Sequence, residues 1–217
     1  MKKCVIIGAG MCDAQRLREQ LTVCGGDLCI AADGGLGHFL AIGLTPHLVL
    51  GDMDSLANEE AIDSQHADFR IKRLPVEKDD TDMLAAIKEG LAAGYRQFEI
   101  YGALGGRLDH TFANVQCLLY LLNRDARGII AGDDVTLTLI RNESVFYQAD
   151  LARKGKRVSV FAFGGDAYGV SEKGLKYLLD HVTVKQEFPI GVSNEFTGKD
   201  AEISVENGML LICVEGY

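Results

Sequence analysis

Two carboxylates one residue apart close the run Leu48-Val49-Leu50-Gly51-Asp52-Met53-Asp54-Ser55. Alternate side chains of an extended segment point the same way, so Asp52 and Asp54 can share one divalent cation. An apolar run that stops at a glycine reads as a buried strand, and open parallel sheets bind ligands beyond the carboxyl ends of such strands. Taken alone, the pair could equally be a solvated loop or a helix start capped by Asp54 or Ser55. A second acidic stretch, Glu77-Lys78-Asp79-Asp80-Thr81-Asp82, precedes a helical pattern. Its acids either serve metal and phosphate or complement the helix dipole, with Asp80 or Thr81 as cap. Lys78 beside them is a phosphate contact or a surface ion pair. A third stretch, Gly102-Ala103-Leu104-Gly105-Gly106-Arg107-Leu108-Asp109-His110, sets glycines and an arginine before a helix, which makes an anion site. Asp109 there is a functional carboxylate or a cap, and His110 a general base or a structural histidine. Asp33-Gly34-Gly35 ends another apolar run, where paired glycines let backbone amides approach a phosphate. Gly8-Ala9-Gly10 is a phosphate loop or simply a tight turn, since the third glycine of the dinucleotide fingerprint is missing.

These groups need a scaffold that gathers strand ends. Residues 4–7, 28–32, 69–75 and 97–101 read as strands alongside the run that ends at Gly51. Residues 14–23 and 36–42 read as helices. So do two later segments, one with Leu84, Ile87 and Leu91 on one face and one with Phe112, Val115, Leu118, Leu119 and Leu122. Alternating strands and helices predict an α/β fold with a Rossmann-like, mostly parallel sheet and helices on both faces. From Val135 the helical patterns cease and β runs take over, so residues 134–217 form a smaller all-β sandwich domain behind an α/β nucleotide-binding catalytic domain at 1–133. The last two runs are joined by Asn207-Gly208, which predicts a hairpin.

Composition narrows the function. The formal net charge of −9 argues against nucleic acid as a partner, because that needs a basic footprint. An acidic chain can still take an anionic nucleotide through a divalent metal, or a cationic small molecule directly. No apolar run approaches a membrane span, and residues 1–8 read as a first strand, not a leader. Six cysteines without a Cys-x-x-Cys pair read as reduced core residues of a cytoplasmic protein.

In this order, Asp33-Gly34-Gly35, Gly51-Asp52-Met53-Asp54-Ser55, Lys78-Asp79-Asp80-Thr81-Asp82 and Gly105-Gly106-Arg107-Leu108-Asp109-His110 resemble the bacterial thiamine pyrophosphokinase family. Gly174-Leu175-Lys176-Tyr177 and Gly191-Val192-Ser193-Asn194-Glu195 extend the resemblance through the β half. Leu178-Leu179 departs from it, where relatives often carry a proline, and so does His110, where some carry glutamine. The resemblance implies transfer of the terminal pyrophosphate of ATP to the hydroxyl of thiamine, with release of AMP. It also implies Mg²⁺ and a homodimer with thiamine near the subunit interface. It assigns Asp33, Asp52, Asp54 and Asp82 to the acidic cluster around metal and phosphates, with Asp52, Asp54 and Asp82 as metal ligands. Asp33, Gly34, Gly35, Lys78, Asp79 and Thr81 become nucleotide contacts. Arg107 and Asp109 stand near nucleotide and thiamine, and Ser193 and Asn194 line the thiamine pocket of a thiamine-binding and dimerisation domain.

Such a transfer asks for placement and charge neutralisation more than for a covalent nucleophile. Arg107 would steady the phosphates, and Asp82 or Asp109 would take the hydroxyl proton; the residues do not choose between them. Glu195 is a thiamine contact or a rim ion pair. Paired aspartates also suit a metal-dependent phosphoesterase, and a nucleotide-binding sensor without turnover would use the same loops.

Overall fold

The computed structural model describes residues 2–52, 69–75, 77 and 79–216. Asp54 and Lys78 lie outside the described residues. The chain divides into two compact units, Met1–Asp133 and Asp134–Tyr217.

Among the described residues the first unit holds six strands: β1 Cys4–Ile7, β2 Leu28–Ala32, β3 Leu48–Gly51, β4 Arg70–Arg73, β5 Gln97–Tyr101 and β6 Arg127–Ala131. They pair in parallel in the order β6-β5-β1-β2-β3-β4. β1, with all four residues buried, is apolar on both faces, as a central parallel strand must be. β4 reads Arg-Ile-Lys-Arg and is exposed throughout, so its charges guard the sheet edge. Among the described residues four helices accompany the strands: α1 Ala14–Gln20, α2 Gly35–Ala41, α3 Asp82–Ala92 and α4 Leu108–Leu122. Leu17 of α1 and Leu36 and Phe39 of α2 pack on Val5, Ile7, Cys29 and Val49, which form one face. Cys4, Phe98 and Gly128 are register partners and so share the opposite face. A Cβ on Gly90 of α3 would stand 2.8 Å from Cys4 Sγ, and one on Gly128 2.9 Å from Leu118 of α4, so these two helices cover that face.

The helices depart from the sequence reading in detail. α1 stops at Gln20 instead of running to 23, because Leu21 turns extended. α3 buries Met83, Ala86, Ile87 and Gly90, with Leu84 and Leu91 only partly covered. It lies so close to the sheet that the Phe98 ring fills the place of a Gly90 side chain, which rotates the small residues inward. α4 buries Asn114, Cys117, Leu118, Leu121 and Leu122, whereas Phe112 is 65% exposed.

The second unit has eight strands: β7 Val135–Arg141, β8 Ser144–Tyr147, β9 Arg157–Ala162, β10 Ala167–Lys173, β11 Leu179–Val184, β12 Asn194–Glu195, β13 Ala201–Ser204 and β14 Met209–Glu215. They form two antiparallel sheets, β12-β9-β14-β7 and β11-β10-β13-β8, around a core that includes Val158, Val160, Val170, Phe196, Ile203 and Ile212. The Asn207-Gly208 hairpin does not occur. β13 pairs with β8 and β10 in one sheet, and β14 with β7 and β9 in the other. The dipeptide is a corner between sheets, held by Asn207 exchanging backbone hydrogen bonds of 2.8 and 3.1 Å with Tyr168.

All six cysteines are free thiols; Cys4, Cys29 and Cys117 are buried, while Cys24 is exposed and lies outside the expected core set. Among the described residues no helix is long and apolar enough to cross a membrane.

Candidate active site

Strand order reverses at β1, which has β5 on one side and β2 on the other. Loops that leave such neighbours diverge and open a crevice. A cavity of about 350 Å³ lies there, lined by Gly8, Ala9 and Gly10 after β1, Asp33 after β2, Thr81 and Asp82 opening α3, and Gly102, Gly105, Gly106, Arg107, His110 and Asn114. That volume suits a small ligand.

The glycines bring two loops into backbone contact. Gly8 N–H donates to Tyr101 O at 2.9 Å and Gly10 N–H to Gly102 O at 2.8 Å. A Cβ on Gly10 would stand 2.6 Å from Gly102 O, and one on Gly102, whose φ is +57°, 2.4 Å from Gly8 O. His38 of α2 holds the same loop, with Nε2 2.9 Å from Gly10 O. Gly35 lets α2 start directly over β1, since a Cβ there would stand 1.9 Å from Ile7 O. Gly34 and Gly35 therefore shape the strand–helix turn and are not part of the described cavity wall.

Asp33 takes the left-handed conformation at φ +52°, and its N–H donates to Leu50 O at 2.8 Å. This turns its carboxylate into the cleft, where Oδ1 is buried with no hydrogen-bond partner among the described residues. A carboxylate oxygen left so calls for a cation or donor beyond the described residues. Thr81, not Asp80, caps α3, with Oγ1 accepting from Leu84 N at 3.2 Å. Asp82 follows as the first helical residue and also lines the cavity, its Oδ1 buried. Asp79 is exposed and Asp80 pairs with Lys88; neither is in the cavity wall. Asp52 follows β3 directly and is half-buried, and Gly51 before it lies against the Asp33 backbone. Among the described residues no three His, Cys, Asp or Glu side chains are grouped to hold a metal unaided.

Arg107 and Asp109 form a two-point pair, Nε to Oδ1 at 3.1 Å and Nη2 to Oδ2 at 2.6 Å, both side chains exposed. The guanidinium, and then the His110 N–H at 2.9 Å, hold the Asp109 carboxyl below the usual carboxylate range. Asn114, which the sequence reading did not single out, is buried and donates to Ala103 O at 2.7 Å, tying α4 to the loop after β5. Its signal was a polar residue inside an apolar helix stripe.

Ser193 and Asn194 belong to the second unit. Ser193 is exposed, with φ +60°, and its N–H donates to Ser159 Oγ at 3.0 Å. Asn194 is 5% exposed, and its amide is engaged on all sides within the unit. Glu195 makes an ion pair with Lys176 at 2.9 Å.

Residues 22–130 match the family "Thiamin pyrophosphokinase, catalytic domain", and residues 143–210 match "Thiamin pyrophosphokinase, vitamin B1 binding domain". A thiamine pyrophosphokinase of Bacillus subtilis is 26% identical over 190 residues, 85% of this chain and 86% of the relative. The crystal structure of thiamine pyrophosphokinase from that organism superposes with a TM-score of 0.87 at 21% identity over the whole of both chains. The structure of the Geobacillus thermodenitrificans protein gives 0.82 at 26% identity, covering 99% of this chain and 98% of that one.

Proposed function

The chain belongs to the thiamine pyrophosphokinase family and is an enzyme of that activity, and on that premise we propose how its residues divide the reaction. ATP and thiamine are the substrates the family implies. ATP lies in the cleft of the first unit, its phosphates along the glycine loops and beside Arg107. The observation that carries this reading is Asp33 Oδ1, buried without a partner among the described residues in the wall that Asp82 also lines. Two carboxylates facing a polyphosphate repel it unless a cation stands between them. This donor set suits Mg²⁺, which takes one or two carboxylates and completes its shell with phosphate oxygens and water. Asp33 would hold the ion with Asp52 and Asp54, which leaves the Asp82 carboxylate for the proton. When bound, Mg²⁺ neutralises the phosphate charge that opposes attack.

The thiamine hydroxyl oxygen bonds to the β-phosphorus as the bond from that phosphorus to the α–β bridging oxygen breaks, and AMP leaves. Asp82 takes the hydroxyl proton. Asp109 is a poorer base, because Arg107 and an N–H already stabilise its charge. When phosphates draw Arg107 towards them, Asp109 is left to meet the thiamine cation. Ser193 contributes to the thiamine pocket, and Asn194 fixes it. Asp79, Thr81 and Lys78 act at the mouth of the nucleotide site. The molecule works as a homodimer in the cytoplasm, since exposed Tyr177, Leu178, Phe188, Ile190 and Val192 beside Ser193 need an apolar cover.

Incubation with ATP, Mg²⁺ and thiamine is expected to give thiamine diphosphate and AMP in equal amounts. ADP as the product, or hydrolysis without thiamine, would reject the mechanism.

A further inference from the structure

Glu172 lies on β10, between Ile203 of β13 and Leu179 of β11, and is 1% exposed. Asn194 opens β12 in the other sheet, opposite Val158. The Asn194 Nδ2 group donates to Glu172 Oε2, so one hydrogen bond spans the sandwich between its two sheets. The same Nδ2 donates to Tyr177 O at 2.6 Å, while Oδ1 accepts from Tyr177 N and Glu195 N, both at 2.9 Å. Every polar position of the amide is used, and its orientation is fixed by them.

Stability alone does not account for this acid. Glu172 Oε1 has no hydrogen-bond partner among the described residues, and burial raises the carboxyl's pKa against the opposing effect of the Asn194 bond. A methionine of similar volume would fill the space without that desolvation cost. What the acid does achieve is local. It anchors the amide that pins Tyr177 and Glu195, and next to that amide stands Ser193, a non-glycine residue in the left-handed region. Such a conformation persists only where its surroundings over-determine it.

We propose that Glu172 is a positioning residue: through Asn194 it clamps the 176–178 and 193–195 segments together and holds Ser193 in its left-handed, exposed conformation for acceptor binding. This rests on the reading of Ser193 as part of the thiamine pocket.

The test uses the full-length enzyme and the KM for each substrate. Glu172→Met leaves one buried Asn194 N–H without its acceptor and is expected to raise the thiamine KM about tenfold, the loss of one buried hydrogen bond. Its KM for ATP should stay within about twofold, the scatter of ordinary surface changes. Asn194→Asp places two acids against each other and should impair thiamine binding as well. Glu172→Gln keeps an acceptor for the Asn194 amide and should leave the thiamine KM within about twofold of wild type. A Glu172→Met enzyme with wild-type thiamine KM, or a Glu172→Gln enzyme as impaired as Glu172→Met, overturns the clamp. A wild-type enzyme that binds no thiamine overturns the site reading instead.

Discussion

At the scale of single residues the cleft separates acids by what already satisfies them. Asp109 is exposed and bound to Arg107, Asp80 to Lys88, and Glu195 to Lys176. Asp33 keeps a buried oxygen that no described group meets, and Asp82 stands in the same wall. Asp33→Asn and Asp82→Asn should each lower kcat by about 10²–10³-fold, the range for losing one preorganised charge or proton acceptor. Circular dichroism should be unchanged. Asp80→Asn should leave kcat within about twofold, since exposed ion pairs contribute little. Equal losses at Asp80 and Asp82 would mean that the helix start, not the cleft carboxylate, matters. Glu172 makes a pH-dependent case. Its folded pKa is raised, so the native state holds the proton more tightly than the unfolded one. The stability this gives is complete below the ordinary glutamate value and is lost as pH rises through the folded value. Glu172→Gln should therefore melt higher than wild type at pH 7, and the gap should close in melts taken below the ordinary glutamate pKa.

At the scale of elements, the site depends on how closely backbones approach. Gly35 and Gly37 lie two residues apart in α2 and are predicted to behave oppositely. A Cβ on Gly35 meets Ile7 O at 1.9 Å, whereas one on Gly37 meets nothing within 4 Å. Gly37→Ala should stabilise by roughly 0.5–1 kcal/mol through helix propensity. Gly35→Ala should cost more than about 3 kcal/mol or prevent folding, because β1 and α2 must separate. Urea melts of the two variants decide it; similar midpoints would mean that α2 can shift freely on the sheet. Thr81→Ala, which removes the cap of α3 just before Asp82, should cost about 1 kcal/mol by the same melts. These cases also mark what was legible in the sequence. Strands β1, β2 and β3 were readable because a strand buried on both faces must be apolar throughout. The acids at strand ends were readable from punctuation by glycine. The purpose of Gly8, Gly10 and Gly102 was not, because it is a contact between loops some ninety residues apart, and no local pattern encodes it. Asn207-Gly208 was misread for a related reason. The dipeptide specifies a reversal, but the strands' partners are chosen by the core faces of β13 and β14, and those pair in different sheets. Phe112 was assigned to a buried stripe by its spacing, yet the residue that faces inward is the polar Asn114, whose amide has Ala103 O to bond.

At the scale of the whole molecule the question is what covers the apolar surface beside Ser193. Leu178 is 68% exposed and Phe188 60%, with Tyr177, Ile190 and Val192 comparably bare. They flank β11 on both sides in the second unit, where β12 at the sheet edge is only two residues long. A chain of net charge −9 repels its own copies, so association has to come from apolar burial against that repulsion. This fixes the sign of the salt effect. Salt screens the repulsion and leaves the apolar gain intact, so a dimer held this way should tighten, or at least not loosen, from about 0.05 to 0.5 M salt. An interface of ion pairs would loosen. Sedimentation equilibrium should give twice the chain mass of 23.5 kDa at micromolar concentration. Leu178→Asp with Phe188→Asp should give the single mass, because each puts a charge where apolar burial would hold the copies together. If thiamine binds where two copies meet, the same double variant should lose thiamine affinity and keep its affinity for ATP. A wild-type chain that sediments as a monomer with full thiamine affinity would reject the shared pocket, and the exposed apolar stretch would then need another partner.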